Sequence, residues 1–425
     1  MRKSFSYQSK NIEQFKQKLL YWSNKFEHAT FLNSNKFSNK NSYNTYGSLF
    51  AIGCKQNLVS NNNSFEKLKE FYENNKDWVF GYFSYELKNE TENLHSNNFD
   101  GIKASNLHFF IPEYVFIFTE KYVTIEHYSN NIEKIISDIE NTEISVSTKN
   151  KINIKNRFDK NEYIETVKKL KQHIQRGDIY EINLCMEYYS NNVDIEPLNI
   201  YSKLNAISPA PFSCYMKMGD IYLMSSSPER YLKKIGNKII SQPIKGTSKR
   251  GNNNIEDEKL KSQLLKDIKE RSENVMIVDL VRNDLSITAT KKSVKVEELF
   301  GIYTFKQVHQ MISTVVSELS PKHHFIDAIK YSFPMGSMTG APKIRAMEII
   351  EEHEKTNRGI YSGSIGYITP NGNFDFNVII RSILYNSSDK YLSFTAGGAI
   401  TSKSVPEKEF EECELKAKAL KEAIS

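Results

Sequence analysis

Up to about Asn150 the apolar residues fall in short aromatic runs between Asn- and Lys-rich stretches. Trp78-Val79-Phe80-Gly81-Tyr82-Phe83-Ser84-Tyr85 and Tyr114-Val115-Phe116-Ile117-Phe118 have the length and composition of buried strands. Asn61-Asn62-Asn63-Ser64 and Asn97-Asn98-Phe99-Asp100-Gly101 predict loops. The polar stretch from Asn141 to Asn150 is the best boundary, dividing the chain into an N-terminal region, 1–150, and a second region, 151–425. The second region opens with a helical period. Tyr163, Val167, Leu170 and Ile174 recur behind the plausible N-cap Asp159, and Gly177-Asp178 ends the run. Strands are then predicted at 179–184, 221–226, 238–242, 364–368, 377–385 and 391–396. Helices are predicted near 256–280, 325–332, 342–352 and 406–423. The mixture gives an α+β class with its strands in antiparallel layers.

Composition narrows the function classes. The net charge of +6 over 425 residues is modest, and basic residues alternate with acidic ones, as in Glu256-Asp257-Glu258-Lys259-Leu260-Lys261. That pattern is a mixed solvated surface and not the clustered basic face of a nucleic-acid binder. A mild positive bias also suits a dianionic small substrate. Cys54, Cys185, Cys214 and Cys413 lie far apart without metal-ligand spacing, which predicts free thiols in a reducing compartment. The N-terminus has no apolar stretch of signal-peptide type, and the most apolar run, 108–118, is broken by Pro112 and Glu113. A cytoplasmic protein without membrane spans is expected.

The candidate chemistry lies in the second region. Lys245 sits in Pro243-Ile244-Lys245-Gly246-Thr247, sixteen residues after Glu229 in Ser226-Ser227-Pro228-Glu229-Arg230. Read alone, the lysine is catalytic, solvated, or part of a basic glycine-bearing anion loop that continues to Gly251. Glu409 and Glu412 share one face of the last helix with Lys416, beside the apolar stripe Phe410, Cys413, Ala417 and Leu420. Glu270 and Glu273 repeat the i,i+3 spacing on an earlier helix. Two such pairs have the ligand chemistry of one Mg²⁺. On spacing alone, solvated acids on Lys/Glu-rich helices are the competing reading.

These motifs, with Asp279-Leu280-Val281-Arg282-Asn283-Asp284-Leu285 and Gly336-Ser337-Met338-Thr339-Gly340-Ala341-Pro342-Lys343, resemble the chorismate-binding enzymes over about 158–423. The N-terminal region matches only loosely. The resemblance implies a β-sandwich with surrounding helices around a central cleft. It implies Mg²⁺ held by Glu273 and Glu412 directly, with Glu270 and Glu409 in the same site. It makes Glu229 the general acid/base for the hydroxyl leaving C4 of chorismate. It puts Arg381 on a substrate carboxylate, with Tyr361, Thr247, Gly397, Gly398 and Lys416 among the substrate-binding positions. A lysine in the PIKGT position is similar to the branch that makes 4-amino-4-deoxychorismate for folate synthesis. The branch that makes anthranilate typically has alanine there and is the alternative. In the aminating chemistry Lys245 attacks C2, and ammonia then adds at C4 and expels it. For that the lysine needs its pKa lowered by burial or by a neighbouring cation such as Mg²⁺ or Lys343.

Four departures qualify the match. Glu181 stands where the isochorismate and salicylate branches have a lysine base. Gln310 stands where many members have histidine, and the adjacent His309 faces the other way along a strand. Ala399 stands where members often have glycine, and Phe31-Leu32-Asn33-Ser34 is an incomplete version of the tryptophan-feedback motif. None of the four cysteines has the Gly-x-Cys-x-Gly setting of a glutaminase nucleophile, so the resemblance implies a separate glutaminase subunit as ammonia donor.

Overall fold

In the computed structural model, residues 2–37, 43–120, 122–144, 152–306 and 308–425 are described. The strand Phe212–Met218 shows how the fold is built. Its Cys214, Met216 and Met218 point into one apolar cluster and Tyr215 into another, on the opposite face of the same sheet. Period-2 alternation of apolar residues thus buries both faces. The first cluster lies between two antiparallel sheets. The second lies between one sheet and the helices packed on its outer face.

The first sheet has twelve strands and the second ten, and every ladder between named strands is antiparallel. Mixed helices and antiparallel sheets in a sandwich agree with the α+β expectation. The segments on either side of residue 150 do not form separate layers. His28–Asn33 pairs with Phe212–Met218 in the first sheet, and Val79–Phe83 pairs with Ser364–Ile368 in the second. Each sheet is completed across the boundary because neither region alone covers its apolar faces. Residues 145–151, where the boundary was drawn, lie outside the described residues.

Local signals set most element ends. Asp159 caps the Lys160–Arg176 helix in a reciprocal capping box with Glu162, and Gly177 ends it at φ +85°. Two expectations are corrected. The helix expected near 256–280 is two helices, Asn254–Lys266 and Ile268–Ser286, because Asp267 leaves helical geometry and caps the second through Glu270 N. The single strand expected at 377–385 is two strands in different sheets. Phe374–Asn377 belongs to the second sheet and Ser382–Asn386 to the first. The chain crosses between them through Arg381, whose φ of +52° is unusual for a residue with a side chain. A continuous apolar run hides such a crossing, since both halves are buried. No helix among the described residues is long and apolar enough to cross a membrane.

Candidate active site

Lys245 lies on Ile244–Lys249, the edge strand of the second sheet. A bulge against Val308–Glu318 and Gly246 at φ +98° turn the backbone there. Asn274 steadies the turn, donating from Nδ2 to the Lys245 carbonyl at 3.4 Å while its Oδ1 accepts from Ser313 at 2.6 Å. The Lys245 ammonium crosses to the first sheet and donates to Glu181 Oε1 at 2.5 Å. Both side chains are buried, and Glu181 Oε2 has no hydrogen-bond partner. The expectation that burial lowers the Lys245 pKa is therefore corrected. Burial does push it down, but Glu181, Glu273 and Glu229 outweigh burial and hold the ammonium protonated. Lys343 does not act on it as a neighbouring cation, because it is bound to Asp284 at 2.7 Å.

Glu229 is buried where the first sheet hands over to the second, between Ile221–Ser227 and Arg230–Ile235. Burial pushes its carboxyl up to about 7, against a hydrogen bond to Ser337 and the charges of Lys245 and Lys416. At neutral pH it is divided between acid and base forms, the condition for proton transfer in both directions. A cavity of about 20 Å³ adjoins it, lined by Ser337, Asp284 and Leu285, and is sized for a single water.

Tyr361 and Arg381 lie on the crossover side of the cleft. Arg381 is half-buried, and the charges of Tyr361 and Glu412 act on its guanidinium. The Tyr361 hydroxyl is 3.9 Å from Cys185 Sγ, and burial holds it well above its usual pKa. Gly397 allows no side chain, since a Cβ there would lie 2.5 Å from Cys185 Sγ and 2.7 Å from the Leu184 carbonyl. A Cβ at Gly398 would stand 3.6 Å from carboxylate oxygens of both Glu409 and Glu412. Lys416 bridges these parts, donating to the Gly397 carbonyl at 2.8 Å and pairing with Glu412 at 2.6 Å. Thr247 is exposed on the edge strand, two residues beyond Lys245.

The four glutamates converge from two helices, Ile268–Ser286 and Pro406–Ala423. All four act on the charge of Lys269 and together raise its pKa against burial. Burial pushes Glu273 up to about 7, helped by Glu181 and Glu270 and resisted by Lys245 and Lys269. Its Oε1 is buried without a hydrogen-bond partner, and the Lys269 ammonium at 3.7 Å is out of range. Burial also raises Glu270 and Glu409. Burial raises Glu412 too, but Lys416 outweighs it and the net shift is downward. No three of the four bring ligand atoms within 4.8 Å of one another, so the set is gathered but not closed.

Gln310 pairs in register with Thr247, and its buried Oε1 has no partner. His309 faces away, as strand alternation requires, with Nε2 3.0 Å from Asp257. Sequence reasoning missed three supports of the site. Asn274 carries no local signal, and Ser337 was read only within its motif, without a role. The buried Arg358–Glu354 pair, at 2.6 Å, ties the Asn183 and Met338 carbonyls together; its i,i+4 spacing was readable, but its burial was not. Glu181 was noticed only as a departure. Its pairing with Lys245, 64 residues away, is a tertiary fact.

A sandwich whose cleft combines a buried lysine, a titrating glutamate and two acid-bearing helices defines an enzyme site for an anionic substrate, and the comparisons give the family. Residues 18–422 match the chorismate binding enzymes, and the chain belongs to that family. It is 35% identical over 370 residues to anthranilate synthase component 1 of Aquifex aeolicus, covering 81% of this chain and 74% of that protein. It is 33% identical over 362 residues to aminodeoxychorismate synthase component 1 of Bacillus subtilis, covering 81% and 76%. Anthranilate synthase component I of Streptococcus pneumoniae TIGR4 shares the fold, with TM-score 0.78 and 24% identity over 91% of this chain and 96% of that one. Family membership makes this an enzyme acting on chorismate, and its relatives include both branches.

Proposed function

We propose that this chain is an aminodeoxychorismate synthase component I, replacing the C4 hydroxyl of chorismate with an amine to give 4-amino-4-deoxychorismate. The observation that carries the reading is Lys245, a buried lysine bridging the two sheets within one charge network with Glu229. The amine must lose a proton before it can attack, and Glu181 Oε1 at 2.5 Å is the acceptor already in place. Lys245 Nζ then bonds to C2 as the C4 hydroxyl leaves. Glu229 supplies the proton that lets it leave as water. Ammonia adds at C4, the bond from C2 to Lys245 breaks, and the lysine returns to Glu181. The net change is chorismate plus ammonia to aminodeoxychorismate plus water. Arg381 suits one substrate carboxylate with its bidentate fork.

Glu273 and Glu412, with Glu270 and Glu409, are the residues that would hold Mg²⁺. The unpartnered Glu273 oxygen and the mutual repulsion of the set fit a hard cation that keeps several waters. When bound, Mg²⁺ would offset the acids' charge toward a second substrate carboxylate. Ammonia would come from a separate glutaminase subunit. Burial raises the thiol pKa at all four cysteines, to about 11 at Cys54 and Cys413 and about 12 at Cys214, which is the opposite of an activated nucleophile.

The test is product identification by mass spectrometry after incubating the purified chain with chorismate, ammonium and Mg²⁺. Aminodeoxychorismate, with a trapped adduct on Lys245, is the expected result. Anthranilate with pyruvate would overturn the reading in favour of the other branch. Glutamine replacing ammonium in the single chain would overturn the two-subunit part.

A further inference from the structure

Away from the cleft, two histidines end neighbouring helices. His173 lies in the last turn of the Lys160–Arg176 helix, and His353 is the final residue of Lys343–His353. Their Nε2 atoms face each other at 3.4 Å, with the ring planes crossed at 71°. Glu352 brings a carboxylate oxygen within 4.8 Å of a ring nitrogen of each histidine. Among the described residues this is the one group of three potential ligands so gathered.

Two features set it apart from a chance surface pair. The first is the tautomer. Asp178 Oδ2 stands 2.7 Å from His173 Nδ1, and in the tautomer that donates to it Nε2 turns its lone pair toward His353. Arg176 also approaches Nδ1, at 2.8 Å, but as a donor its guanidinium serves Asp178 Oδ2 at 3.0 Å. A carboxylate behind an imidazole is the arrangement that orients metal-bound histidines. The second is the spacing. At 3.4 Å the two nitrogens exceed the usual range for a hydrogen bond. Two nitrogens on a tetrahedral Zn²⁺, each at about 2.0–2.1 Å, stand about 3.3–3.4 Å apart. Both rings are half-buried, while Glu352 is exposed and free to swing inward. Arg345, 4.0 Å from Glu352, is engaged mainly with Glu348 at 2.6 Å. Both histidines also sit at helix C-termini, where the backbone carbonyls favour a cation.

We propose that His173, His353 and Glu352 form a binding site for a divalent transition metal of the zinc type, with a water in the fourth position. Imidazole ligands select zinc-like ions, whereas Mg²⁺ prefers oxygen, so this site is chemically distinct from the four glutamates. Its placement gives it a use. The first helix leads into Glu181–Ser190, whose first residue holds Lys245. The second begins at Lys343, which is bound to Asp284. A metal joining their far ends would staple two supports of the cleft together.

The test is Zn²⁺ titration of the full chain against a chromophoric chelator, in excess Mg²⁺ to occupy oxygen sites, with thermal denaturation alongside. One Zn²⁺ per chain and a rise in Tm are expected. His173→Ala and His353→Ala should abolish both. Asp178→Asn should weaken binding by about 10–100-fold as an outer-shell change. Glu352→Gln, at an exposed position, should weaken binding without touching the metal-free Tm, and it reads the site even if a histidine variant folds poorly. Anomalous scattering at the zinc edge should place the ion between His173 and His353. Absence of binding, wild-type affinity in His353→Ala, or a peak at the four glutamates would overturn the proposal.

Discussion

The two walls of the cleft treat buried charge in opposite ways. On the lysine wall, Lys245 meets Glu181 across the gap between the sheets, so the charges balance within the chain. On the carboxylate wall, Glu270, Glu273 and Glu409 have raised pKa values and Lys269 is their shared counter-charge, 3.7 Å from a Glu273 oxygen that has no hydrogen-bond partner. The first wall is complete as it folds. The second holds more acid than base, and the proposed cation would sit there. A buried pair is organised before substrate arrives, whereas an uncompensated acid set stores repulsion that a ligand can relieve.

The sharpest way to break the contrast is to unbalance the lysine wall. Lys245→Ala leaves Glu181 buried and unpaired, and denaturant unfolding should show a loss of about 3–5 kcal/mol. The paired change Lys245→Met with Glu181→Leu should recover most of it, because both charges leave together. A Lys245→Ala chain as stable as wild type would show that the pair is not buried in solution.

Next comes Glu229, which lies between the walls. Glu229→Gln should lower turnover by about 10²–10⁴-fold, the usual range for a positioned acid/base group. Wild-type kcat should fall as pH rises through about 7, where the carboxyl loses the proton it must donate, and the variant should lack that limb. An unchanged limb in the variant would assign it to another group.

On the carboxylate wall, Glu273→Gln should raise stability in Mg²⁺-free buffer by about 1–2 kcal/mol, since it removes a destabilising charge. The sign follows from a folded pKa near 7, above the unfolded value of 4.5. Wild type binds more protons folded than unfolded in that window, so its stability falls as pH rises from about 4.5 to 7. The variant should flatten that slope and reduce any Mg²⁺-induced rise in Tm, both readable by differential scanning calorimetry. An unchanged slope in the variant would place Glu273 in a solvated setting.

The smallest effect tests the fine tuning of the acid. Ser337→Ala removes a hydrogen bond that favours the charged form of Glu229, so the basic limb of kcat should move up by less than about one unit. A downward move would mean that Ser337 favours the neutral carboxyl instead.

What could be read from the sequence follows the range of the interactions that make it. Asp159 and Gly177 end their helix through contacts within a few residues, so the capping pattern predicted both ends. Short apolar runs predicted strands such as those at 221–226, 238–242 and 364–368. The 377–385 segment was misread because both halves are buried and nothing local marks the change of sheet at Arg381. The i,i+3 spacing of the glutamates put each pair on one helix face. That the two faces meet around Lys269 depends on how the Ile268–Ser286 and Pro406–Ala423 helices pack.

By itself, then, the sequence determined the antiparallel α+β architecture and the family, since these rest on local periodicity and on motifs of fixed spacing. Only the tertiary structure decided the charge state of the lysine. Burial alone lowers an ammonium pKa, and nothing local to Lys245 signalled that Glu181, on the other sheet, would lie 2.5 Å away and reverse it. A pKa is set by distances through the folded interior, and such distances exist only after the sheets have closed on each other.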